Sequence, residues 1–428
     1  MIWKHFFLSL VCLLSVSALF AQPSQTLYSV VVKPDRADWI YRVGEEAEFE
    51  IFVLKDKVPL NHISVDCEYG PEAMPPAKTL KLEIKEKPSR LKIPGLKVPG
   101  FQTVKASFTI DGRKYSSYTN VGYEPEHIQP TQIMPADFQI FWDKAKAAAA
   151  QVPLEPFLSL QAELCTATLD VFQVRFQNDA PGSYIYGMLC VPKKSGRYPA
   201  VLRVPGAGLH SFSGDKALAN KGVITLEIGI HGIPVNLPQN VYANLAAGAL
   251  KGYSLYNLDN KDTYYMKRVY LGCQRAIDFI HTLEAFDQEN LAVLGGSQGG
   301  ALAVVTAALD ARVKCFASRH PGICDLSGFM HGRPGGWPGL KHNPNIKEQL
   351  ETAQYYDVVN FARTLKTPGY FTWGFNDTAC WPTTMFSAYN VIQADKTLKV
   401  YTETAHWHFP EQNEAFENWV LERLGITE

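Results

Sequence analysis

The sequence has little cysteine and little charge. Eight cysteines are scattered singly through 428 residues, and no two of them stand in a C-x-x-C spacing. This pattern predicts neither a disulfide framework nor a zinc site, and most of the thiols are expected to be free and buried. Charged residues amount to 19%, and the formal net charge is −1. Such a balance argues against nucleic acid or an anionic membrane surface as the main partner.

One long apolar run stands at the N-terminus. A short basic start at residues 1–5 precedes the apolar stretch Phe6–Phe20, and Ala21 offers a cleavage point after it. This order predicts a secretory signal peptide over residues 1–21, which is too short and too early to be a membrane anchor. The mature protein is therefore expected to be secreted or periplasmic, with no membrane anchor. Apolar residues make up 46% of the chain, and its length suits two domains better than one.

Residues 25–123 are expected to form an all-β domain. Six short β-branched or aromatic stretches are separated by turn dipeptides such as Val43-Gly44 and Asp111-Gly112, and residues 47–53 alternate between apolar and polar. Short strands at this spacing predict an immunoglobulin-like β-sandwich. The region groups no nucleophile with a base, so it is expected to be a scaffold. Docking or carbohydrate contact is the alternative role.

A different pattern begins after a proline-rich stretch. Pro125 and Pro130 mark a linker over residues 124–134. From 135 to 428, strand-like runs alternate with helical ones, as in the helical spacing of residues 264–283. This alternation predicts a mostly parallel sheet with helices on both faces, which is the α/β-hydrolase plan.

A glycine-rich turn lies at the centre of this second region. Residues 291–294 form a short apolar run that leads into G-x-S-x-G at 295–299, and a small-residue helix pattern follows over 300–309. A strand, a tight turn and a helix in this order are the context in which the motif presents a nucleophilic serine. Glycines supply the unusual dihedrals and let the helix approach the strand. Ser297 is therefore the predicted nucleophile.

The nucleophile needs two partners. A serine hydroxyl requires a base that takes its proton, and the base requires an orienting acid. In an α/β-hydrolase both follow the serine in the chain, the acid first, on loops at the carboxyl ends of strands. Asp377 follows the strand-like run 369–373, and His406 follows the run 399–401. Ser297, Asp377 and His406 are the predicted catalytic triad.

Two neighbouring residues compete for these roles. His408 stands two residues beyond His406 and farther from the strand end, and Glu403 is expected to be a solvated loop charge. The pair His406-x-His408 has a spacing seen in metal ligands, but no third ligand has a supporting motif. No metal and no cofactor are expected.

Further residues are expected to surround the triad. The backbone N–H of Gln298 is a predicted oxyanion-hole donor, and the small-residue loop after an early strand is expected to supply a second donor through Ala207. His320 follows the strand-like run after the nucleophile and is a candidate for the substrate pocket, with a purely structural role as the alternative. Trp381 and Phe375 near the acid are candidate pocket walls, and packing in the core would explain them equally well.

Several motifs of this region are shared with one enzyme family. They are Tyr264–Tyr270, Gly295–Gly300 around the nucleophile, Pro321–Asp325, Tyr355–Ala362, and Asp377–Thr384 followed by Ala388–Asn390. With these motifs, residues 135–425 resemble the acetyl xylan esterase / cephalosporin C deacetylase family, carbohydrate esterase family seven. The resemblance implies a metal-independent deacetylase of small acetylated sugars, with its triad at Ser297, Asp377 and His406.

The chain also departs from that family. Pro205-Gly206-Ala207 stands where the family usually has His-Gly-Tyr. His231-Gly232-Ile233 replaces an Arg-Gly-Gln motif that is associated with packing in the family's oligomer, so the oligomeric state stays open. Residues 233–261 and 329–345 are inserted or diverged, and they are expected to shape the pocket rim.

Together these features predict a secreted serine esterase that removes acetyl groups from oligo- or polysaccharides through an acyl-enzyme. Two alternatives stay open. One is a peptidase of the same fold that cleaves short peptides, although the small N-terminal domain is a poor gate for such an enzyme. The other is a degenerate hydrolase that serves as a carbohydrate-binding protein, against which the complete Ser, Asp and His set argues.

Overall fold

The computed structural model describes residues 27–85 and 88–426. The predicted signal peptide, residues 1–21, lies outside the described residues. Within them, no helix combines the length and the apolar character needed to cross a bilayer. The cysteines of the described part are free thiols, and all of them except Cys165 are buried.

The N-terminal part consists of β-strands. Their bounds are β1 (Tyr28–Pro34), β2 (Ile40–Tyr41), β3 (Ala47–Lys55), β4 (Val58–Pro59), β5 (Ile63–Pro71), β6 (Lys78–Ile84), β7 (Ser89–Ile93), β8 (Gly100–Ile110) and β9 (Arg113–Tyr123). One sheet joins β1, β4 and β7 through β3, and the second has the order β2-β9-β8-β5-β6. The predicted sandwich is confirmed, and β7 is an additional strand that the sequence pattern did not indicate.

Alternation along the strands explains where the core of the sandwich lies. In β3 the side chains of Ala47, Phe49, Ile51 and Val53 are fully buried, while the residues between them are partly exposed. Successive side chains of a strand point to opposite faces of the sheet. One face of β3 therefore covers the core between the two sheets, and the other faces outward.

The rest of the chain is an α/β unit. Its strands are β10 (Phe157–Leu160), β11 (Leu169–Gln177), β12 (Tyr184–Pro192), β13 (Tyr198–Val204), β14 (Ile224–Gly229), β15 (Phe286–Gly296), β16 (Cys315–Arg319), β17 (Gly369–Trp373) and β18 (Lys396–Val400). Its helices are α1 (Phe138–Ala150), α2 (Lys216–Ala219), α3 (Gln239–Ala247), α4 (Tyr265–Ile280), α5 (Gln298–Leu309), α6 (Ile346–Tyr356), α7 (Val358–Thr364), α8 (Pro382–Asn390) and α9 (Pro410–Arg423).

These strands form one nine-stranded sheet in the order β10-β11-β12-β14-β13-β15-β16-β17-β18. Neighbours from β14 onward run parallel, whereas β10, β11 and β12 pair antiparallel. Residues 291–294 of the central strand β15 are fully buried, as expected for a parallel sheet covered on both faces. The predicted α/β-hydrolase fold is confirmed.

The strand order brings the predicted triad to one edge of the sheet. β15, β16, β17 and β18 are consecutive parallel neighbours, so their carboxyl ends meet at the same edge. The turns and loops that follow β15, β17 and β18 carry Ser297, Asp377 and His406. Ligands of open α/β sheets bind at this carboxyl edge.

Residues 124–134, predicted as a linker, are held against the α/β unit. Thr131 donates its N–H and its hydroxyl to Asp325 Oδ1 at 2.8 and 2.7 Å. The Gln132 side-chain amide donates to Asp357 Oδ2 at 2.9 Å, and both carboxylates are fully buried. The segment is thus fixed by hydrogen bonds. The domain limits at 25–123 and 135–428 stay a prediction.

Candidate active site

Ser297 lies on a sharp turn between β15 and α5. Its backbone angles are φ 61° and ψ −125°, a conformation that residues with a side chain rarely adopt. A Cβ at Gly299 would come within 2.4 Å of the Val204 carbonyl oxygen, so only glycine fits between this turn and β13. The strained turn holds the serine at the carboxyl edge of the sheet, ahead of the N-terminus of α5.

The three residues of the predicted triad form a continuous hydrogen-bond chain. His406 Nε2 lies 2.9 Å from Ser297 Oγ, and His406 Nδ1 lies 2.8 Å from Asp377 Oδ2. The Asp377 side chain is fully buried, whereas the His406 side chain is 35% exposed. One imidazole thus bridges the hydroxyl and the carboxylate through its two nitrogens. In this arrangement a base can take the serine proton while the acid holds its orientation.

Both oxygens of the Asp377 carboxylate have close partners. Oδ1 accepts the backbone N–H groups of Ala379 and Cys380 at 2.9 and 2.8 Å. Oδ2 faces His406 and also His320, whose Nδ1 lies 3.1 Å away. Burial raises the pKa of Asp377, but the two imidazoles outweigh this effect and hold the pKa at about 2. The carboxylate is therefore ionised at neutral pH.

His320 is a second buried histidine beside the acid. Its backbone has φ 45°, and its N–H donates to the Thr372 carbonyl oxygen at 3.1 Å. The ring centroid lies 5.3 Å from that of His406. Neither ring nitrogen makes a hydrogen bond of good geometry with a described residue, despite the short distance to Asp377. Burial lowers the pKa of His320, and the neighbouring carboxylate of Asp377 opposes this effect.

The two rival residues lie outside the hydrogen-bond chain. His408 is exposed and has no hydrogen bond to Ser297 or Asp377 within the described residues. Partial desolvation of its ring, with the charge of Arg319 as a second cause, lowers the pKa of His408 to about 4. Glu403 is exposed, as expected for a solvated loop charge.

One group of three side chains in the described ranges brings possible metal-ligand atoms within 4.8 Å of one another, namely His320, Asp377 and His406. A metal bound there would be coordinated by the His406 nitrogen and the Asp377 oxygen, which contact each other in this structure. The 2.8 Å separation of these two atoms is that of a hydrogen bond. We therefore assign no metal to this group.

Of the residues predicted for the oxyanion hole, Gln298 directly follows the nucleophile and Ala207 lies in the loop after β13. The Gln298 N–H begins α5 and so has no acceptor within that helix. The Gln298 side chain is buried, and its Nε2 lies 3.4 Å from the carbonyl oxygens of Pro205 and Gly206. Ala207 follows directly in the same loop, and its carbonyl oxygen lies 3.1 Å from His210 Nε2. The loop after β13 is thus tied to the serine turn.

Tyr253 and His231 support this loop, and no sequence pattern predicted a role at the site for either of them. The Tyr253 hydroxyl donates to Gln298 Oε1 at 2.7 Å and accepts the Gly208 N–H at 3.2 Å. His231 Nε2 lies 3.1 Å from the Gly208 carbonyl oxygen, and its Nδ1 lies 2.8 Å from the Tyr265 hydroxyl. Burial raises the pKa of Tyr253 to about 12, which keeps the hydroxyl protonated. Tyr253 belongs to a diverged segment without a motif, so no sequence signal pointed to it.

A cavity of about 350 Å³ opens beside Ser297 and His406. This volume suits a small ligand. His320 is among the residues that line it. Polar and aromatic side chains make up much of the remaining wall, and they include Arg203, Glu227, Arg319, Phe212 and Phe416.

The charged side chains of the cavity differ in how they are paired. Arg203 forms ion pairs with Asp215 and Glu417. Arg319 has no carboxylate within ion-pair distance in the described part of the chain, and its Nη1 donates to the Asn413 side chain at 2.7 Å. The Glu227 carboxylate accepts no hydrogen bond from a described residue. Burial raises its pKa, and the charge of Arg203 opposes this rise.

The other two candidate pocket residues do not line this cavity. Phe375 is 1% exposed and packs edge-on against Phe101, with ring centroids 4.9 Å apart. Trp381 precedes the first turn of α8, and it does not line the cavity beside Ser297. Core packing was the alternative role for both residues, and the surroundings of Phe375 correspond to it.

Comparison with known proteins covers most of the chain. The family model for acetyl xylan esterase (AXE1) matches residues 124–423. The acetyl esterase Axe7A of Xylanibacter ruminicola is 36% identical over 409 residues, which cover 94% of this chain and 92% of that protein. An alignment of this extent includes most of the N-terminal β-rich part as well.

Two solved structures resemble the protein over 70% of its chain and 98% of their own. The acetyl xylan esterase from Paenibacillus sp. R4 has a TM-score of 0.59 at 26% identity. Acetyl xylan esterase 1 from Thermoanaerobacterium sp. JW/SL YS485 has a TM-score of 0.60 at 23% identity, a likeness that shows the fold alone. Since both the family model and the Xylanibacter protein match most of its length, the chain belongs to the acetyl xylan esterase family and is a carboxylic ester hydrolase.

Proposed function

We propose that this enzyme is an exported serine esterase that hydrolyses acetyl esters on carbohydrates. The proposal depends above all on the hydrogen-bond chain that runs from Ser297 through His406 to Asp377, at 2.9 and 2.8 Å. Membership of the acetyl xylan esterase family supports the acetyl ester as the bond that is cleaved. The basic start and the apolar stretch Phe6–Phe20 support export.

In the proposed mechanism, Ser297 Oγ attacks the acetyl carbonyl carbon while His406 Nε2 takes the hydroxyl proton. The tetrahedral intermediate then breaks its bond to the sugar oxygen, which receives that proton from His406 and leaves as a hydroxyl group. Water next gives a proton to His406 and attacks the carbonyl carbon of the acetylated serine. His406 returns this proton to Ser297 Oγ as the ester bond breaks and acetate leaves. Asp377, whose pKa of about 2 keeps it ionised, orients the imidazole and stabilises its positive form.

The negative charge of the tetrahedral intermediate needs donors that are already in place. We assign this role to the Gln298 N–H at the start of α5 and to the Ala207 N–H in the loop after β13. The positive end of the α5 dipole favours the same charge. Tyr253 supports the pair, because its hydroxyl contacts both Gln298 and the Gly208 N–H. Loss of one such donor typically costs about 3–4 kcal/mol of transition-state stabilisation.

The cavity beside the nucleophile supports a sugar as the alcohol part of the ester. The departing oxygen must lie within reach of His406 Nε2, and both Ser297 and His406 line this cavity. Arg319 offers N–H donors to sugar hydroxyl groups, and Glu227 offers an acceptor that is otherwise unused. An acetyl group alone would leave most of this space empty.

Acetate release by wild type and Ser297→Ala tests the proposal. The wild type is expected to release acetate from acetylated xylan and to hydrolyse p-nitrophenyl acetate. Ser297→Ala is expected to lower kcat by more than about 10⁴-fold, because the nucleophile is lost. Ser29→Ala, which alters an exposed serine of β1, is the matched control and should retain full activity.

Three other outcomes would change the assignment. Equal turnover by wild type and Ser297→Ala would exclude Ser297 as the nucleophile. Cleavage of aminoacyl anilides without acetate release from sugars would identify a peptidase. Binding to acetylated xylan without turnover would identify a carbohydrate-binding protein. Export has its own test, since the N-terminus of the mature protein, read by mass spectrometry, should follow residue 21.

A further inference from the structure

The N-terminal sandwich contacts the two residues that directly precede Asp377. From β9, the Tyr118 hydroxyl donates to the Asn376 carbonyl oxygen at 2.8 Å. The Asn120 side-chain amide donates to the Phe375 carbonyl oxygen at 2.7 Å, and the Asn120 backbone N–H donates to Asn376 Oδ1 at 2.9 Å. These hydrogen bonds from one strand hold a short stretch of backbone that runs straight into the carboxylate-bearing residue.

The same two residues also bind the loop that carries His406. The Phe375 N–H donates to the Thr402 carbonyl oxygen at 3.2 Å, and the Asn376 N–H donates to the Thr404 carbonyl oxygen at 3.1 Å. Strand β9, the acid loop and the histidine loop therefore follow one another in a continuous hydrogen-bonded arrangement. A shift of the acid loop away from β9 would disturb its contacts with both triad partners.

Asn120 is held in place from the sandwich side. It is completely buried, and the Thr103 hydroxyl donates to its side-chain oxygen at 2.6 Å. Because this oxygen accepts from Thr103, the amide nitrogen is the atom directed at the Phe375 carbonyl oxygen. Phe101 from β8 packs against the Phe375 ring in the same place, with centroids 4.9 Å apart. The contact is therefore directional and preformed.

We propose that the sandwich is a functional part of the active site, in which Asn120 and Tyr118 are positioning residues for Asp377. The inference rests on the proposed function, because it requires Asp377 to be the catalytic acid. The carboxylate must stay within hydrogen-bonding distance of His406 Nδ1, and a misplacement of about 1 Å in such a site can cost about 100-fold in rate. The backbone that sets the position of Asp377 is anchored by donors from β9.

Single substitutions in β9 test the inference on the full-length protein. Asn120→Ala removes the buried amide and is expected to lower kcat for p-nitrophenyl acetate by about 10- to 100-fold. Tyr118→Phe removes one hydroxyl, keeps the ring and is expected to lower kcat by a smaller factor. Both variants should leave KM within about twofold of wild type, since neither residue touches the cavity where the substrate is proposed to bind.

The matched control is Thr119→Val, which lies between the two in β9. The buried Thr119 hydroxyl donates to the Val32 carbonyl oxygen at 2.7 Å, a contact within the sandwich. Thr119→Val should lower the melting temperature and leave kcat unchanged. This variant separates a loss of sandwich stability from a loss of positioning.

Three results would overturn the inference. The first is a kcat within twofold of wild type for folded Asn120→Ala and Tyr118→Phe. The second is an equal loss of activity in Thr119→Val at an equal drop in melting temperature. The third is a change confined to KM, which would indicate contact with the substrate instead of positioning. An inactive wild type, or an active Ser297→Ala, would contradict the proposed function itself and is therefore distinguishable.

Discussion

The two large sheets of the protein differ in what they offer the site. The nine-stranded sheet presents Ser297, Asp377 and His406 on the turns and loops that follow parallel strands. The backbone changes direction there, so a side chain can take orientations that a strand would not allow. The five-stranded sheet of the sandwich offers Asn120 from within β9, where ladder hydrogen bonds to β8 fix the backbone. Strand ends can carry reactive groups, and strand interiors can hold a neighbouring loop still.

Among the predictions for the nine-stranded sheet, substitution of the proposed catalytic acid, Asp377, should change kcat the most. Asp377→Asn keeps the size of the side chain, but its amide nitrogen would favour the wrong imidazole tautomer. We expect kcat for p-nitrophenyl acetate to fall by about 10⁴-fold, with little change in KM. Asp395→Asn alters an exposed aspartate before β18 and should be neutral. A fall of less than tenfold would show that Asp377 is not the acid.

The cavity wall tests whether the same edge also recognises the sugar. Glu227→Gln weakens the acceptor that we assign to sugar hydroxyl groups, and a hydrogen bond to a charged group contributes about 1.5–3 kcal/mol. We expect kcat/KM for acetylated xylooligosaccharides to fall about tenfold more than kcat/KM for p-nitrophenyl acetate. Glu403→Gln, an exposed glutamate before His406, is the control. An equal fall in kcat/KM for both substrates would show that Glu227 does not bind the sugar and only balances the charge of Arg203.

The smallest expected effect is a pH dependence of stability that comes from Glu72 in the sandwich. Glu72, just after β5, is 1% exposed, and its Oε2 accepts the Thr383 N–H at 3.3 Å. Burial raises the pKa of Glu72 to about 8, and the nearby charge of Asp377 adds to the rise. The folded protein thus keeps this proton at a pH where the unfolded chain, with a glutamate pKa of about 4.3, has lost it. The free energy of unfolding should therefore fall as pH rises between these two values.

Glu72→Gln should remove this dependence. At pH 9 we expect it to be more stable than wild type by at least about 1 kcal/mol, and the advantage should vanish near pH 4. Urea unfolding at the two pH values measures the difference, with the exposed Glu163→Gln as control. A stability gain of the same size at both pH values would mean that Glu72 does not titrate as described.

Local patterns were sufficient to predict the parts of the fold that depend on neighbouring residues. Alternation in residues 47–53 predicted β3, and the glycines around Ser297 predicted its turn. The chain order of an α/β-hydrolase then selected Asp377 and His406, because loops after parallel strands meet at one edge. These inferences use spacings of a few residues or a rule of topology.

Contacts between distant segments could not be predicted in this way. Asn120 and Phe375 are 255 residues apart, and nothing in either stretch indicates that their backbones meet. For the same reason Phe375 was a candidate pocket wall: proximity to Asp377 in sequence does not tell which side of the loop its ring faces. Strand β7 was missed because its alternation is short and includes only two apolar residues, Leu91 and Ile93.

Phe101 carries a consequence for the protein as a whole. Its backbone belongs to β8, but its ring is buried in the core of the α/β unit, against Phe375 and Phe386. Because the two halves share this aromatic packing, neither can unfold without exposing apolar surface of the other. The chain should melt in a single cooperative transition. A chain shortened to begin at residue 124 would lack Phe101 in this aromatic packing, so we expect it to be less stable than the full-length protein.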